Sequence, residues 1–513
     1  MAITWNQIGS DIDGSGKDVA AGFSVSLSGD GKTLAIVTAL ADGLGGHGNN
    51  GVANIYTIQD DTWTKIPANF VGGTNLFLRS VSLSNDGTRL AVGSKVKANP
   101  AGVLTGSVTI YDKTLNSANE VVWSEVGSTI YGEQSLDGFG NEVRLSGDGS
   151  TLIVGAPDND EGGKDAGKVY IYGFSSNSWV EEYAMTGGGE NDNYGSRAQI
   201  DLSDDGTVAV IGNTGKSGDS SLNGGTPTMA TAGSLWQLRK TDGVWGKGFY
   251  TRGNSLNQPL GSSIQVSGDG NTFIVGAYGS GKSDLLGSGS AKVLRHWLQL
   301  SDQNRPGWYQ INEEIFGENS YDFTGWRTDI SSDGSVIAIG SEDVKDQSGQ
   351  VRIFKDFGDG RWTQIGSAIT GEKTGDKATQ LSLSNNGSTI AIGAVSADSD
   401  SGIADTGHTR IFSIKTANGG DLSLTNTNTL SGSASIDDVL TSTSNNDFID
   451  GLSGSDTVVF TGNFEDYSIS RNQSDLNDLI MVDDLRATEN NGFNWLKNIE
   501  EITLLDQGLD LSN

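Results

Sequence analysis

Phe139-Gly140-Asn141-Glu142-Val143-Arg144-Leu145-Ser146-Gly147-Asp148-Gly149, followed by Thr151-Leu152-Ile153-Val154-Gly155-Ala156-Pro157, is the stretch that decides the fold. Val143 and Leu145 alternate with polar residues up to an Asp-Gly pair, and a second apolar run comes straight back. Period-two alternation around Asp-Gly marks a β-hairpin, because that pair tolerates the positive φ of a tight turn. A polar loop follows, then Gly167-Lys168-Val169-Tyr170-Ile171-Tyr172 as a third strand and a segment around Trp179 as a fourth.

The unit recurs. Turn markers stand at Asp30-Gly31, Asp86-Gly87, Asp148-Gly149, Asp205-Gly206, Asp269-Gly270, Asp333-Gly334 and Asn386-Gly387, with spacings of 56, 62, 57, 64, 64 and 53 residues. This is a little longer than the period of about 40–50 residues usual for four-stranded propeller blades. Seven markers predict an all-β, seven-bladed β-propeller. The outer strand has its own phrase, seen at Trp63-Thr64-Lys65-Ile66, Trp123-Ser124-Glu125-Val126-Gly127, Trp308-Tyr309-Gln310-Ile311 and Trp362-Thr363-Gln364-Ile365-Gly366. One copy, Trp5-Asn6-Gln7-Ile8-Gly9, has no repeat in front of it, while the last third strand, Thr409–Ile414, has no copy behind it. Residues 5–9 are therefore expected to supply the outer strand of blade seven. That closes the ring and removes the open edge that β architectures must otherwise protect.

The chain has 513 residues, with Gly 74 against Pro 6, and a net charge of −31. Many glycines with few prolines suit many tight turns. The charge disfavours nucleic acid and anionic membrane as partners and attracts cations. There is no cysteine, so disulfides and thiolate metal sites are excluded. The start, Met1-Ala2-Ile3-Thr4-Trp5, carries no basic region followed by an apolar stretch, so no N-terminal secretory leader is expected. No apolar run is long enough to span a bilayer. The domain reading is a propeller over 1–415, a Gly/Asn/Ser/Thr-rich linker over 416–432 and a second module over 433–513.

Strand order fixes the faces. The Asp-Gly turns and the links before Trp share one side; the long two-to-three loops and the inter-blade loops share the other. The latter carry Asp158 and Asp160, and a recurring acidic pattern that includes Asp137, Glu190, Asp192, Glu318, Asp322, Glu372 and Asp376, with Asp11, Asp13 and Asp18 in the first loop. Such a ring of carboxylates could hold calcium or a cationic ligand at a channel mouth. Alternatively, each acid could hydrogen-bond backbone amides of its own loop. No catalytic residue stands out, and His47, His296 and His408 lie in no zinc or nucleophile-elbow spacing. Gly276-Ala277-Tyr278-Gly279-Ser280-Gly281-Lys282-Ser283 matches a P-loop by letter, but a third strand rather than a helix is expected after it, so it reads as an ordinary blade-five loop. Trp236, Trp297 and Trp326 read as blade packing rather than sugar platforms.

Phe139-Gly140 with Gly155-Ala156-Pro157 resembles the signature of FG-GAP repeat proteins, and more distantly the propeller of integrin α chains. Gly22-Phe23 inverts the motif, and blade two has Leu76-Phe77 in its place. Integrin-type repeats often carry an Asp-x-Asp-x-Asp-Gly calcium loop; here Ser-Gly, Ser-Asn or Ser-Asp precedes most Asp-Gly pairs, so plain turns are expected. Beyond 433, Asp438, Asp447 and Asp456 are nine residues apart, and Gly451-Leu452-Ser453-Gly454-Ser455-Asp456 resembles the nonapeptide calcium repeat of RTX proteins. That resemblance implies calcium held by Asp438, Asp447, Asp450, Gly451, Ser453 and Asp456, with Ile449 and Val458 inside the coil. It also implies export by a type I secretion apparatus, with calcium ordering the module outside the cell.

Three functions fit. The first is a non-catalytic binding or adhesion protein, secreted or at the cell surface, contacting an extracellular protein or glycan. The second is a structural subunit of an extracellular assembly, contacting copies of itself. The third is a secreted polysaccharide-acting enzyme using carboxylates.

Overall fold

The computed structural model describes residues 4–16, 19–40, 51–67, 77–214, 233–253, 259–281, 285–297, 307–357, 361–399, 403–414, 428–431, 439–441, 447–450, 455–460, 467–471, 480–484, 493–497, 499, 501–504 and 508–510. Seven antiparallel sheets follow one another along residues 19–65, 77–125, 142–186, 200–252, 263–316, 324–364 and 378–413. Blade three shows the pattern, with strands Glu142–Leu145, Thr151–Ala156, Lys168–Ser175 and Ser178–Thr186 in sequential order. Its central strand, Thr151–Ala156, is buried throughout, because it is covered on both faces by neighbouring blades.

The seventh sheet ends in the chain's own beginning. Asn6 pairs with Ser413 and Gln7 with Phe412, antiparallel. Ile12 and Asp13 then pair with Thr409 and His408 on the same strand. Blades two and six repeat the arrangement, with Ile130–Tyr131 and Ile369–Thr370 returning to the third strand seven residues after Trp123 and Trp362. Ile12 likewise lies seven residues after Trp5, so the N-terminal segment reproduces an internal outer strand residue for residue. The Trp5 indole donates to the Ile365 carbonyl of blade six at 2.8 Å. Ile8 N donates to Ile411 O at 2.8 Å, as Ile365 N does to Ile353 O within blade six.

The ring is closed at its axis as well. The residue after the serine of each turn, at 29, 85, 147, 204, 268, 332 and 385, joins blade to blade through seven backbone hydrogen bonds of 2.8 to 3.0 Å, with Asp148 as donor in blade three. The last of them runs from Asn385 N to Gly29 O. Glycines at 29, 147 and 268 leave room for the side chains of Asn385, Asn85 and Asp204 that fill this end of the axis. Ser332 Oγ donates to Asp204 Oδ2 across it at 2.6 Å.

The Phe-Gly and Gly-Ala phrases have one physical cause. The glycine of the first presses on the glycine of the second in the preceding blade: Gly140 on Gly93, Gly195 on Gly155, Gly261 on Gly212, Gly325 on Gly276 and Gly22 on Gly393. At each of these seams a Cβ would meet neighbouring backbone, which is why glycine persists inside strands that otherwise disfavour it.

The described residues beyond 427 form two small sheets. Asn428–Ser431, Asp447–Asp450 and Phe493–Lys497 run parallel in one, and Val439–Thr441, Thr457–Val459 and Glu501–Thr503 run parallel in the other. Over the strands from Asn428 to Val459 the chain alternates between the two sheets, and Ile449 and Val458 are fully buried between them with Leu496 and Ile502.

Candidate functional site

The aspartates of the inter-blade loops bind within their own loops, and several of the glutamates pair with cations of the adjoining third strands. Asp137 accepts Gln134 N at 3.2 Å and the Asn159 side chain at 2.9 Å, and burial raises its pKa. Asp322 accepts Glu318 N and Asn319 N at 2.9 and 2.8 Å, and Asp376 accepts Glu372 N and Lys373 N at 2.8 and 2.7 Å. Asp192 is buried in the equivalent loop, and Glu190 beside it is exposed. Glu318 and Glu372 pair with Arg352 and Arg410 at 3.4 and 3.3 Å, as Glu133 does with Lys168 at 3.0 Å. Asp158 pairs with Lys95 at 2.7 Å, and Asp160 accepts Asp165 N at 2.7 Å. The aspartates of the Asp-Gly turns are used in the same way. Ser146 Oγ and Ser150 N both donate to Asp148 Oδ1, at 2.6 and 2.9 Å.

The axial channel carries the opposite charge. Arg144 and Arg327, from the first strands of blades three and six, and Arg197, from the turn before the first strand of blade four, line a cavity of about 30 Å³, part of it open to solvent, together with Glu142, Gln265 and Gln380. Arg79 of blade two sits with Arg197 over the ring of Phe23, at 4.8 and 3.9 Å. Gln380 Oε1 accepts from both Arg197 and Arg327, at 2.9 and 3.1 Å. Arg144 pairs with Glu142 at 2.7 Å and lies 3.8 Å from Asp201. Burial, then the charge of Arg327, pushes Arg197 well below the usual guanidinium range. Arginine does not release its proton in a protein, so the strain persists as unrelieved positive potential. The carboxylates offset it unevenly: against burial, Glu142, Asp201 and Asp329 raise Arg144, whereas burial leaves Arg197 and Arg327 lowered, the latter despite Glu142 and Glu342. Burial raises Asp201 to about 7 and Asp329 to about 6, and each accepts an amide of the next blade, Val266 N and Leu383 N, at 2.8 and 2.7 Å. Each first strand begins at the inter-blade loops, so Arg79 and Arg197 stand toward the loop-bearing face. The opposite end is filled by the turn residues, which makes the channel a blind cationic well.

The same face displays apolar side chains. Leu136 and Tyr321 are 56% and 54% exposed, and Val103, Leu286 and Ile403 on the two-to-three loops are exposed as well. Leu136 and Tyr321 hold φ of 67° and 65°, where the equivalent positions of blades four and seven have Asn191 and Gly375. A bulky side chain in this region costs roughly 1–2 kcal/mol, and such outliers cluster at ligand-contacting sites. Trp326 and Tyr278 meet edge-on at 4.8 Å nearby, whereas Trp236 is a buried packing residue bonded to Tyr194.

A further cluster lies at the closing seam. Ligand atoms of Asp11, Asp13 and His408 all fall within 4.8 Å of one another, a candidate metal site. His408 Nδ1 is 3.5 Å from Asp11 Oδ2. The other members of the expected first-loop set and of the expected calcium set fare differently. Asp18, Asp438, Gly451 and Ser453 lie outside the described residues. Asp447 and Asp450 fall in a parallel strand, and Asp456 is buried. The P-loop match ends a strand at Ala277 and passes through turns into the strand Ser290–Trp297; Lys282 and Ser283 lie outside the described residues.

The family model described as an FG-GAP repeat matches residues 132–172, which span the loop before blade three and its first three strands. Blade three is thus similar to the FG-GAP repeat. The whole is an all-β seven-bladed propeller, with glycines in contact at the seams between blades. The family model matches none of residues 433–513, so nothing in the comparison supports an RTX module there. A comparison with curated proteins returned no match. Among solved structures, a chain of Kuenenia stuttgartiensis hydrazine synthase is similar over 74% of this propeller chain and 93% of its own, at 13% identity and a TM-score of 0.43, which carries no argument.

Proposed function

We propose that this propeller is a non-catalytic binding protein whose loop-bearing face receives an acidic ligand, an anionic group of which seats in the axial well. The observation that carries the reading is the convergence of Arg79, Arg144, Arg197 and Arg327 on the axis of a chain whose net charge is −31. Buried guanidiniums facing one another favour an anion between them, and planar forks suit carboxylate or sulfate. Leu136 and Tyr321 supply apolar contact at the rim. The loop-face carboxylates are bound to their own amides and cations, which favours binding over carboxylate catalysis. The ligand class is an acidic glycan or acidic protein surface outside the cell. Export by a type I apparatus, with calcium ordering residues 433–513, remains part of the reading; the parallel strands that bury Ile449 and Val458 support it.

The test is an array of sulfated, uronate-containing and neutral glycans, with acidic peptides as a second arm, read for the parent chain and an Arg197→Gln/Arg327→Gln variant. The parent should retain acidic probes over neutral ones, and the variant should lose at least about tenfold in affinity, as expected when charge-assisted bonds are removed. Equal retention of neutral probes, or an unaffected variant of unchanged fold, would refute it. Retention should also strengthen from pH 8 to pH 5.5. Asp201 and Asp329, raised to about 7 and about 6, take up protons over that window, and each neutralised carboxylate leaves the well more positive.

A further inference from the structure

The seam between the chain's two ends contains an unexplained histidine. His408 is 1% exposed, in a strand buried between blades, and neither ring nitrogen has a hydrogen-bond partner among the described residues. Asp11 Oδ2 lies 3.5 Å from Nδ1, too far for a good hydrogen bond. A buried imidazole without a partner is costly, and native structures retain one where something else serves its nitrogen. The backbone delivers that something. Antiparallel pairing sets Asp13 opposite His408 and Ile12 opposite Thr409, and Gly14 N donates to Gly407 O at 3.0 Å. Asp11 and Asp13 thus bracket the imidazole, with all three ligand atoms within 4.8 Å of one another. Gly14 completes the geometry, since a Cβ there would be driven into the Thr406 carbonyl that the segment runs against.

We propose that Asp11, Asp13 and His408 bind a first-row divalent transition metal, which clasps the N-terminal segment to blade seven. Two carboxylates and an imidazole suit zinc or manganese; calcium prefers an all-oxygen shell. Asp13 is exposed, so an ion can arrive from solvent and keep water in its remaining positions. Two of the three ligands come from the closing segment and one from the last blade. The metal therefore binds only the closed ring, and binding stabilises closure by mass action. This site is independent of the axial well.

The experiment uses the full chain stripped with a chelator, then titrated separately with Zn²⁺, Mn²⁺ and Ca²⁺ while heat of binding and thermal midpoint are followed. One equivalent of Zn²⁺ or Mn²⁺ is expected to bind and raise the midpoint, with cobalt substitution giving a ligand-field spectrum that reports imidazole coordination. Asp13→Asn, at an exposed position, should fold normally when metal-free yet bind at least about tenfold more weakly, the scale on which even supporting residues of metal sites act. His408→Asn should abolish the spectrum. Failure of both transition metals to bind at one equivalent overturns the proposal. So does undiminished binding in both variants, which would place the ion elsewhere.

Discussion

Trp5→Ala is expected to destabilise the propeller by about 3–5 kcal/mol, the usual cost of truncating a buried tryptophan. Trp5 is 9% exposed and belongs to the core cluster shared by blades six and seven, with Val351, Ile353, Ile365, Leu383 and Phe412. Its indole also holds the Ile365 carbonyl. Removing residues 1–13 should cost more. It also deletes Ile8, which packs with Val25, Leu34, Ala391 and Ile411 between blades seven and one, and it exposes the third strand of blade seven as an unpaired edge. Urea unfolding of the two variants beside the parent measures both effects. A loss below about 1 kcal/mol for Trp5→Ala, the size expected of a surface change, would mean that the first residues are not part of the ring.

The second large effect is at a seam glycine. Gly155→Ala should lower stability by about 3 kcal/mol or more, the upper range for overpacking, because the new Cβ would be driven into the backbone of Gly195. Backbone cannot rotate away as a flexible side chain can, so the blades must separate. Gly340 offers an internal comparison. It occupies the same strand position in blade six, yet its nearest backbone contact is Thr379 O at 3.2 Å, so Gly340→Ala should be far milder. Chemical denaturation of the two single variants decides the matter, and equal losses would contradict the interlocked-glycine account of the motif.

The fold was legible because its determinants are local and repeated. Every Ser-x-Asp-Gly or Ser-x-Asn-Gly turn carries its own hydrogen-bond set, and the Trp phrase recurs in register, so an orphan copy at residue 5 pointed to closure. The loop-face acids were legible as a pattern but ambiguous in meaning. The structure shows Asp137, Asp322 and Asp376 accepting amides of their own loops, the recurrent use that a repeated turn demands. The axial arginines were not legible. Arg79, Arg144, Arg197 and Arg327 lie 7, 4, 8 and 6 residues before their turn aspartates, so no single repeat position collects them. Strand bulges, such as the register shift between Thr324 and Arg327, and the curvature of the ring bring them together. His408 and Asp11 were out of reach for a related reason. They are 397 positions apart, and only the register of the closing strand, Asp13 opposite His408, makes them neighbours.

The central claim is that the chain's first strand completes its last blade. The chain has no cysteine, so a double variant Asn6→Cys/Ser413→Cys introduces one pair at positions that face each other in the antiparallel ladder. Facing residues of such a ladder have Cα atoms about 4.5–5.5 Å apart, within the span a disulfide bridges. Mild oxidation of the folded protein should convert this pair to an intramolecular disulfide in high yield, while an Asn6→Cys/Leu115→Cys control keeps two free thiols. Two free thiols in the Asn6/Ser413 variant, or a bond formed equally in the control, would contradict the closed ring.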